Sequence, residues 1–297
     1  MKLSYRAGIH WLGEAGPAQD PSVVGGKAAT LSRLAAGFDV PPGFGVVGES
    51  GESEPDEHDI AAAYARLSRL RGQEAVPVAV RSSAIDEDGA QASFAGQNET
   101  YLNVRGAEAV VAAVRACVAS FGSERALDYR RQHGLDGGSG QYAVLVQELV
   151  IADVSGVAFS VDPVSGSRGQ VVINASWGLG ESVVGGTVTP DTYAYDVGTG
   201  DVSVSPADKQ RMTVAVAGGT AEVGVPPRLR EAPVLSTAQA ETTARLALEL
   251  EKTCGHPVDI EFAWAGGRLH LLQCRPITTL DTPAGGVGAK NESEAGA

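Results

Sequence analysis

The chain has 297 residues, enough to bury a sizeable core and more than one usual domain, so two lobes are expected. Its hydrophobic content of 43% is that of an ordinary globular protein, no stretch is long and apolar enough for a membrane-spanning helix, and the opening "MKLSYRAGIHWLGEAG" lacks the apolar run of a secretory signal. A net charge of −13 argues against a nucleic-acid backbone as ligand, and three scattered cysteines (Cys117, Cys254, Cys274) give neither a disulfide framework nor a zinc site, which points to the cytoplasm.

In chain order, "GGKAATLSRLAA" from Gly25 predicts a glycine turn opening a short helix, and "VPPGFGVVG" an extended stretch stiffened by proline. An acidic loop precedes a helix over Ile60 to Leu70, whose Ile60, Tyr64 and Leu67 share one face. The β-branched run Val76 to Val80 is a strand that ends at Arg81. "EAVVAAVRACVASFG" spaces Val110, Val114, Val118 and Phe121 for a one-sided helix. After a break at Gly137 to Gly140 the chain turns strand-rich: "YAVLVQELVI", "SGVAFSVDP", "QVVINAS", "TYAYDV" and "DVSVS". A helix over Thr237 to Lys252 and a hairpin, "VDIEFAWAGGRLHLLQCRPIT", complete the core, and residues 281–297 form a Gly, Ala and Glu-rich tail expected to be disordered.

Any phosphate held by so acidic a chain must be met by a few placed cations. Arg81 stands at a strand mouth, where its guanidinium can clamp an oxyanion, and the loop "SSAIDEDGAQASFAGQNET" after it offers hydroxyls and backbone N–H groups; the plainer alternative is a surface turn with a salt-bridged arginine. Lys27 in "VVGGKAAT" has neither the glycine five residues before Gly26 nor the Ser or Thr at position 28 that a Walker A loop needs, and Val183 breaks the dinucleotide fingerprint in "GLGESVVGG". Glu261 is a carboxylate in an apolar strand, with Gln273 and Arg275 on the partner strand; Mg²⁺ takes one or two such oxygen ligands, whereas a strand carboxylate otherwise faces solvent. His10, His58, His133, His256 and His270 lie in unrelated contexts, without the neighbours a metal ligand or phosphoryl-accepting histidine needs.

These segments resemble, in order, the ATP-binding domain of the phosphoenolpyruvate synthase, pyruvate phosphate dikinase and rifampicin phosphotransferase superfamily, from Gly25 to Thr279: "VVGGKAATLSRL", "VPPGF", "VAVRSSAIDEDGAQASFAGQNETYLNV", "VLVQELV", "VSGVAFSVDPVSG", "INASWGLGESVVGGTVTPDTYAYD", "DIEFAW" and "LLQCRPIT". The resemblance implies an α+β fold of the ATP-grasp type, with an N-terminal lobe (1–147) and a C-terminal lobe (148–280) of mixed or antiparallel sheets and flanking helices enclosing a nucleotide cleft. It implies Lys27 and Arg81 as phosphate-binding cations, Gly96 and Thr100 in a covering loop, Gln147 in the strand facing the adenine, Glu261 and Gln273 as Mg²⁺ ligands, and Arg275 on the terminal phosphate. Catalytic weight falls on Lys27, Arg81 and Arg275. Asn98, Asp162 and Cys274 depart from the family pattern, but none of the three removes a phosphate or metal group.

Full-length relatives carry a phosphoryl-accepting histidine in a separate domain, and its short Gly, Thr or Ser-His motif does not occur here. The resulting expectation is a stand-alone, ATP-dependent phosphotransferase subunit of dikinase type. Its group would pass through a histidine on a separate protein to pyruvate or to a small molecule bearing a hydroxyl. A direct kinase and a non-catalytic nucleotide-binding module are the alternatives. If Glu261 and Gln273 share one ion they must lie on one face of the hairpin, and simple counting then predicts an odd-numbered connection, Ala265 to Gly267 or Gly266 to Arg268.

Overall fold

The computed structural model describes residues 8–49, 56–83, 100–121 and 141–277. Gly96 and most of the expected covering loop, His133, the break at 137–140 and the tail at 281–297 lie outside the described residues.

Five strands form the first sheet: β1 (Gly8–Trp11), β2 (Gly43–Glu49), β3 (Val78–Ser82), β4 (Thr100–Val104) and β5 (Gln141–Glu148). Their spatial order is β1-β2-β5-β3-β4, with every pair antiparallel. Alternation along β3 sends Val78 and Val80 to one face, where they join Val144 and Val146 of β5. Two helices, α2 (Glu57–Leu70) and α3 (Ala107–Phe121), cover that face through Ile60, Leu67, Val110 and Val114. Helix α2 starts before the expected Ile60 because the Asp56 carboxylate accepts the His58 N–H at 2.8 Å and caps the extra turn.

The opposite face carries α1 (Pro21–Leu34). The predicted glycine turn is present inside this helix rather than before it. Asp20 and Pro21 start a first turn, Gly25 breaks it with φ 76° and ψ 164°, and the chain resumes helical geometry beyond. A Cβ on Gly25 would lie 1.7 Å from the Ser83 carbonyl oxygen. Ser83 fills the gap in the helix ladder, its hydroxyl donating to the Val24 carbonyl at 2.9 Å and accepting the Ala28 N–H at 3.2 Å.

The second half begins with β6 (Val154–Phe159), β7 (Gln170–Trp177), the short helix α4 (Glu181–Val184), β8 (Asp191–Asp196) and β9 (Val202–Ser205). A separate two-stranded hairpin follows, β10 (Arg211–Val216) and β11 (Gly219–Gly224), then α5 (Thr237–Cys254), β12 (Val258–Ala265) and β13 (Arg268–Pro276). The main sheet runs β13-β12-β6-β7-β8-β9, again antiparallel throughout. Helix α5 is bounded as its sequence dictates, by a capping box between Ser236 and Gln239 and by Gly255 in the left-handed conformation. It buries Ala240, Ala244, Ala247 and Leu250 with Ile173, Tyr193, Ile260 and Phe262, and this core is continuous with Val24, Leu31 and Leu145 of the first half. Helix α1 therefore lies between the two sheets and packs on both β5 and β13. A fully buried ion pair, Lys209 to Asp191 at 2.5 Å, ties the segment after β9 to β8, and Asp191 also accepts the N–H groups of Ala207 and Val234.

The expected odd connection in the last hairpin is not what forms. Ala265 pairs with Arg268, leaving a two-residue Gly266-Gly267 turn in which both φ angles are positive, 55° and 77°. Two glycines suit the type I′ turn that matches strand twist, so the shortest connection wins. The register shift occurs instead within the ladder. Phe262 pairs with Leu271 and Glu261 with Gln273, which makes Leu272 an extra, bulged residue.

Candidate functional site

Strand alternation places four polar side chains together on the face of β12–β13 opposite α5. Asp259 pairs with Arg275, and Glu261 with Gln273, so the four form a compact rectangle. Ile260 and Cys274, between them in sequence, point into the core. The Arg275 Nε and Nη2 both reach Oδ2 of Asp259 at 2.7 Å. Asp259 is only 7% exposed, and its Oδ1 is buried with no partner among the described residues. Burial pushes its carboxyl above the usual carboxylate range; Arg275 beside it works in the opposite direction, and Glu261 adds to the rise.

Arg81 approaches this rectangle from the other sheet. Its Nη1 lies 3.8 Å from Oε2 of Glu261, with side-chain exposures of 15% and 18%, while Arg81 Nε is buried with no partner among the described residues. Thr100 is directly opposite Arg81 in the β3–β4 register and is exposed. Lys27 follows the α1 kink that Ser83 holds against the end of β3, two residues past Arg81, so the same strand positions both cations. Gln147 is buried near the end of β5, opposite both Ala79 and Gly43, and its Nε2 donates to the Pro41 carbonyl at 3.1 Å. Ala79, on the same face of β3 as Arg81, clusters with Leu149 and Leu179, against which Leu102, Ala152 and Ala215 pack. Of the sequence-predicted residues, Arg81, Glu261, Gln273 and Arg275 come together with Thr100 opposite Arg81, whereas the Gln147 side chain is turned to the Pro41 carbonyl and Gly96 lies outside the described residues. A cavity of about 280 Å³ opens beside the linker after β5, lined by Leu149 of the Ala79 cluster and by Arg105; none of the predicted site residues line it, and its Arg71 and Arg268 are paired with Glu148 and Asp39.

Asp259 was absent from the expected set. Its signal was available in "VDIEFAW", where Asp259 and Glu261 are two apart and must share a strand face. Among the described residues no three His, Cys, Asp or Glu side chains group as a metal cluster. Glu261 and Gln273, opposite one another in the register, have side chains of the kind that give Mg²⁺ the one or two protein oxygens it takes when phosphate and water complete its shell.

The sequence profile of the pyruvate phosphate dikinase AMP/ATP-binding domain matches residues 53–295. The chain belongs to this family. A probable phosphoenolpyruvate synthase of Methanocaldococcus jannaschii is 39% identical over 92% of this chain and 27% of its own length. The phosphoenolpyruvate synthase of Pyrococcus furiosus is 42% identical over 80% of the chain and 30% of its own. A rifampicin phosphotransferase of Streptomyces sviceus is 36% identical, with 87% and 34% covered. The chain spans about a quarter to a third of the length of these curated relatives. Among solved structures, D-alanyl-alanine synthetase A of Vibrio cholerae covers 88% of the chain and 58% of its own at 14% identity and a TM-score of 0.39, too low to carry an argument. For this dikinase-family chain the α+β architecture rests on the two antiparallel sheets and their flanking helices, in keeping with the ATP-grasp expectation. No helix among the described residues is long and apolar enough to cross a membrane.

Proposed function

We propose that this dikinase-family chain binds Mg-ATP between lobes of residues 1–147 and 148–280 and transfers a phosphoryl or pyrophosphoryl group, through a histidine on a separate protein, to pyruvate or to a small molecule bearing a hydroxyl. The observation that carries the reading is the approach of Arg81 to Glu261 across the two sheets, beside the Gln273 and Arg275 positions. Polyphosphate needs cations and metal-ligating oxygens on opposite walls, and family membership supports ATP as its source.

Within this reading each residue has a task. Lys27 and Arg81 orient the phosphates from the N-terminal wall, with Thr100 and Gly96 in the loop above them. Arg275, aimed by Asp259, meets the terminal phosphate, and Gln147 fixes the segment along which the adenine lies. Glu261 and Gln273 would hold Mg²⁺, which when bound offsets phosphate charge as it builds toward the transition state. Leu102, Ala152 and Ala215, partly exposed where they pack on the buried Ala79, Leu149 and Leu179, would give the base an apolar wall. The site is to be tested by incubating the protein with Mg-ATP, with and without a histidine-carrier protein, and resolving the nucleotides and phosphates formed. Carrier-dependent AMP supports the proposal; ADP without a carrier means a direct kinase, and binding without turnover a nucleotide-binding module.

A further inference from the structure

The β10–β11 hairpin belongs to neither main sheet, yet it bridges both. At its base the Leu179 N–H donates to the Thr213 carbonyl at 2.9 Å, and a Cβ on Gly178 would lie 2.3 Å from that same oxygen. At its tip it meets β4: Nδ2 of Asn103 donates to the Val216 carbonyl at 2.7 Å and to the Gly219 carbonyl at 2.8 Å, the two residues flanking the turn. Oδ1 of Asn103 accepts from Nε of Arg105 at 3.1 Å, and Nη1 of Arg105 donates to the Ala75 carbonyl at 3.1 Å, so the amide is held at both ends. Asn103 is 3% exposed and, among the described residues, the only non-glycine with positive φ, at 55°. A strained backbone with every side-chain donor used marks a position specified by its surroundings.

What the clasp holds lies next to the candidate site. Leu102 precedes Asn103 and Ala215 precedes Val216, and both pack on the Ala79, Leu149 and Leu179 cluster. We propose that Asn103 is a positioning residue: by pinning the hairpin tip to β4 it fixes the apolar wall against which the nucleotide base lies, and so sets affinity for the base rather than for the phosphates. The inference rests on the reading that a nucleotide occupies the interlobe surface.

The test compares wild type with Asn103→Gly, which relieves the positive φ while removing the clasp, and with Arg105→Ala, which frees the amide without changing residue 103. Calorimetry would measure affinity for Mg-ATP and for magnesium tripolyphosphate, a probe with phosphates and no base, alongside thermal melting. Asn103→Gly is expected to weaken Mg-ATP by about tenfold, the scale of one or two net hydrogen bonds, while tripolyphosphate affinity stays within about twofold. Arg105→Ala should shift in the same direction by less. Equal losses for both probes, or no loss for ATP in a folded variant, overturns the positioning role. Wild-type protein that binds tripolyphosphate but not ATP, or neither, overturns the nucleotide reading and this inference with it.

Discussion

Glu261 stands opposite Gln273 although only two residues, Gly266 and Gly267, turn the chain between their strands. Regular pairing from such a turn would set Glu261 against Leu272 and send Gln273 to the core face. The bulge at Leu272 absorbs the mismatch, so a tight turn and a shared polar face coexist. Bulges of this kind re-aim side chains, and here one keeps Glu261 and Gln273 on the same face of the hairpin.

The clamp role of Arg81 predicts that lysine is a poor substitute. Lysine keeps a charge but loses the planar fork, including the Nε that is buried with no partner among the described residues. Phosphoryl transfer by Arg81→Lys should fall by roughly tenfold or more through lost positioning, with the melting temperature little changed. Wild-type turnover in that variant contradicts the assignment.

Asp259 should matter through Arg275. Asp259→Asn preserves shape but removes the charge that both guanidinium nitrogens share. Arg275 is 39% exposed, so solvent tempers the loss, and a destabilisation of about 1–2 kcal/mol is expected rather than the larger cost of breaking a fully buried pair. Mg-ATP affinity should fall with it, and Arg275→Ala combined with Asp259→Asn should cost less than the sum of the two in a double-mutant cycle.

The kink in α1 gives a sharper stability contrast. Gly25→Ala must place a Cβ 1.7 Å from a backbone oxygen at positive φ, and is expected to cost more than about 3 kcal/mol or to prevent folding. Gly255→Ala shares the positive φ, 78°, but meets nothing within 4 Å, so it should cost about 1 kcal/mol. Similar melting temperatures for the two would show that the contact with Ser83 is not what selects glycine.

The Lys209–Asp191 pair is fully enclosed, and Lys209→Met leaves a buried carboxylate with two backbone donors and the Tyr193 hydroxyl but no countercharge. A loss of about 3 kcal/mol is expected in denaturant unfolding. A variant as stable as wild type would mean that these donors suffice.

Much of this organisation was legible in the sequence because local chemistry decided it. A strand from the β-branched run follows from local chemistry, although it spans Val78–Ser82 and runs through Arg81 rather than stopping there, and α5 follows from its Ser236 cap and Gly255 stop. What was missed depends on partners distant in the chain. "RMTVAVAGGTAEVG" carries alternation and a glycine turn, yet its place against β4 is fixed by Asn103, more than a hundred residues earlier, which no local pattern shows. The bulge at Leu272 leaves no composition signal. Asp259 could have been read from its spacing to Glu261, but its ion pair with Arg275 needed the register.

Arg81 and Glu261 approach to 3.8 Å across the two sheets, and the proposed task of the pair is to hold Mg-ATP between the lobes. Calorimetric titration of ATP into the protein, with and without Mg²⁺ and repeated on Glu261→Gln, tests it most directly. Saturable binding that requires Mg²⁺ is expected, weakening by at least about tenfold in Glu261→Gln, the scale of one lost charge-assisted ligand. Absence of Mg²⁺-dependent binding in the wild-type protein, or binding that Glu261→Gln leaves unchanged, contradicts it.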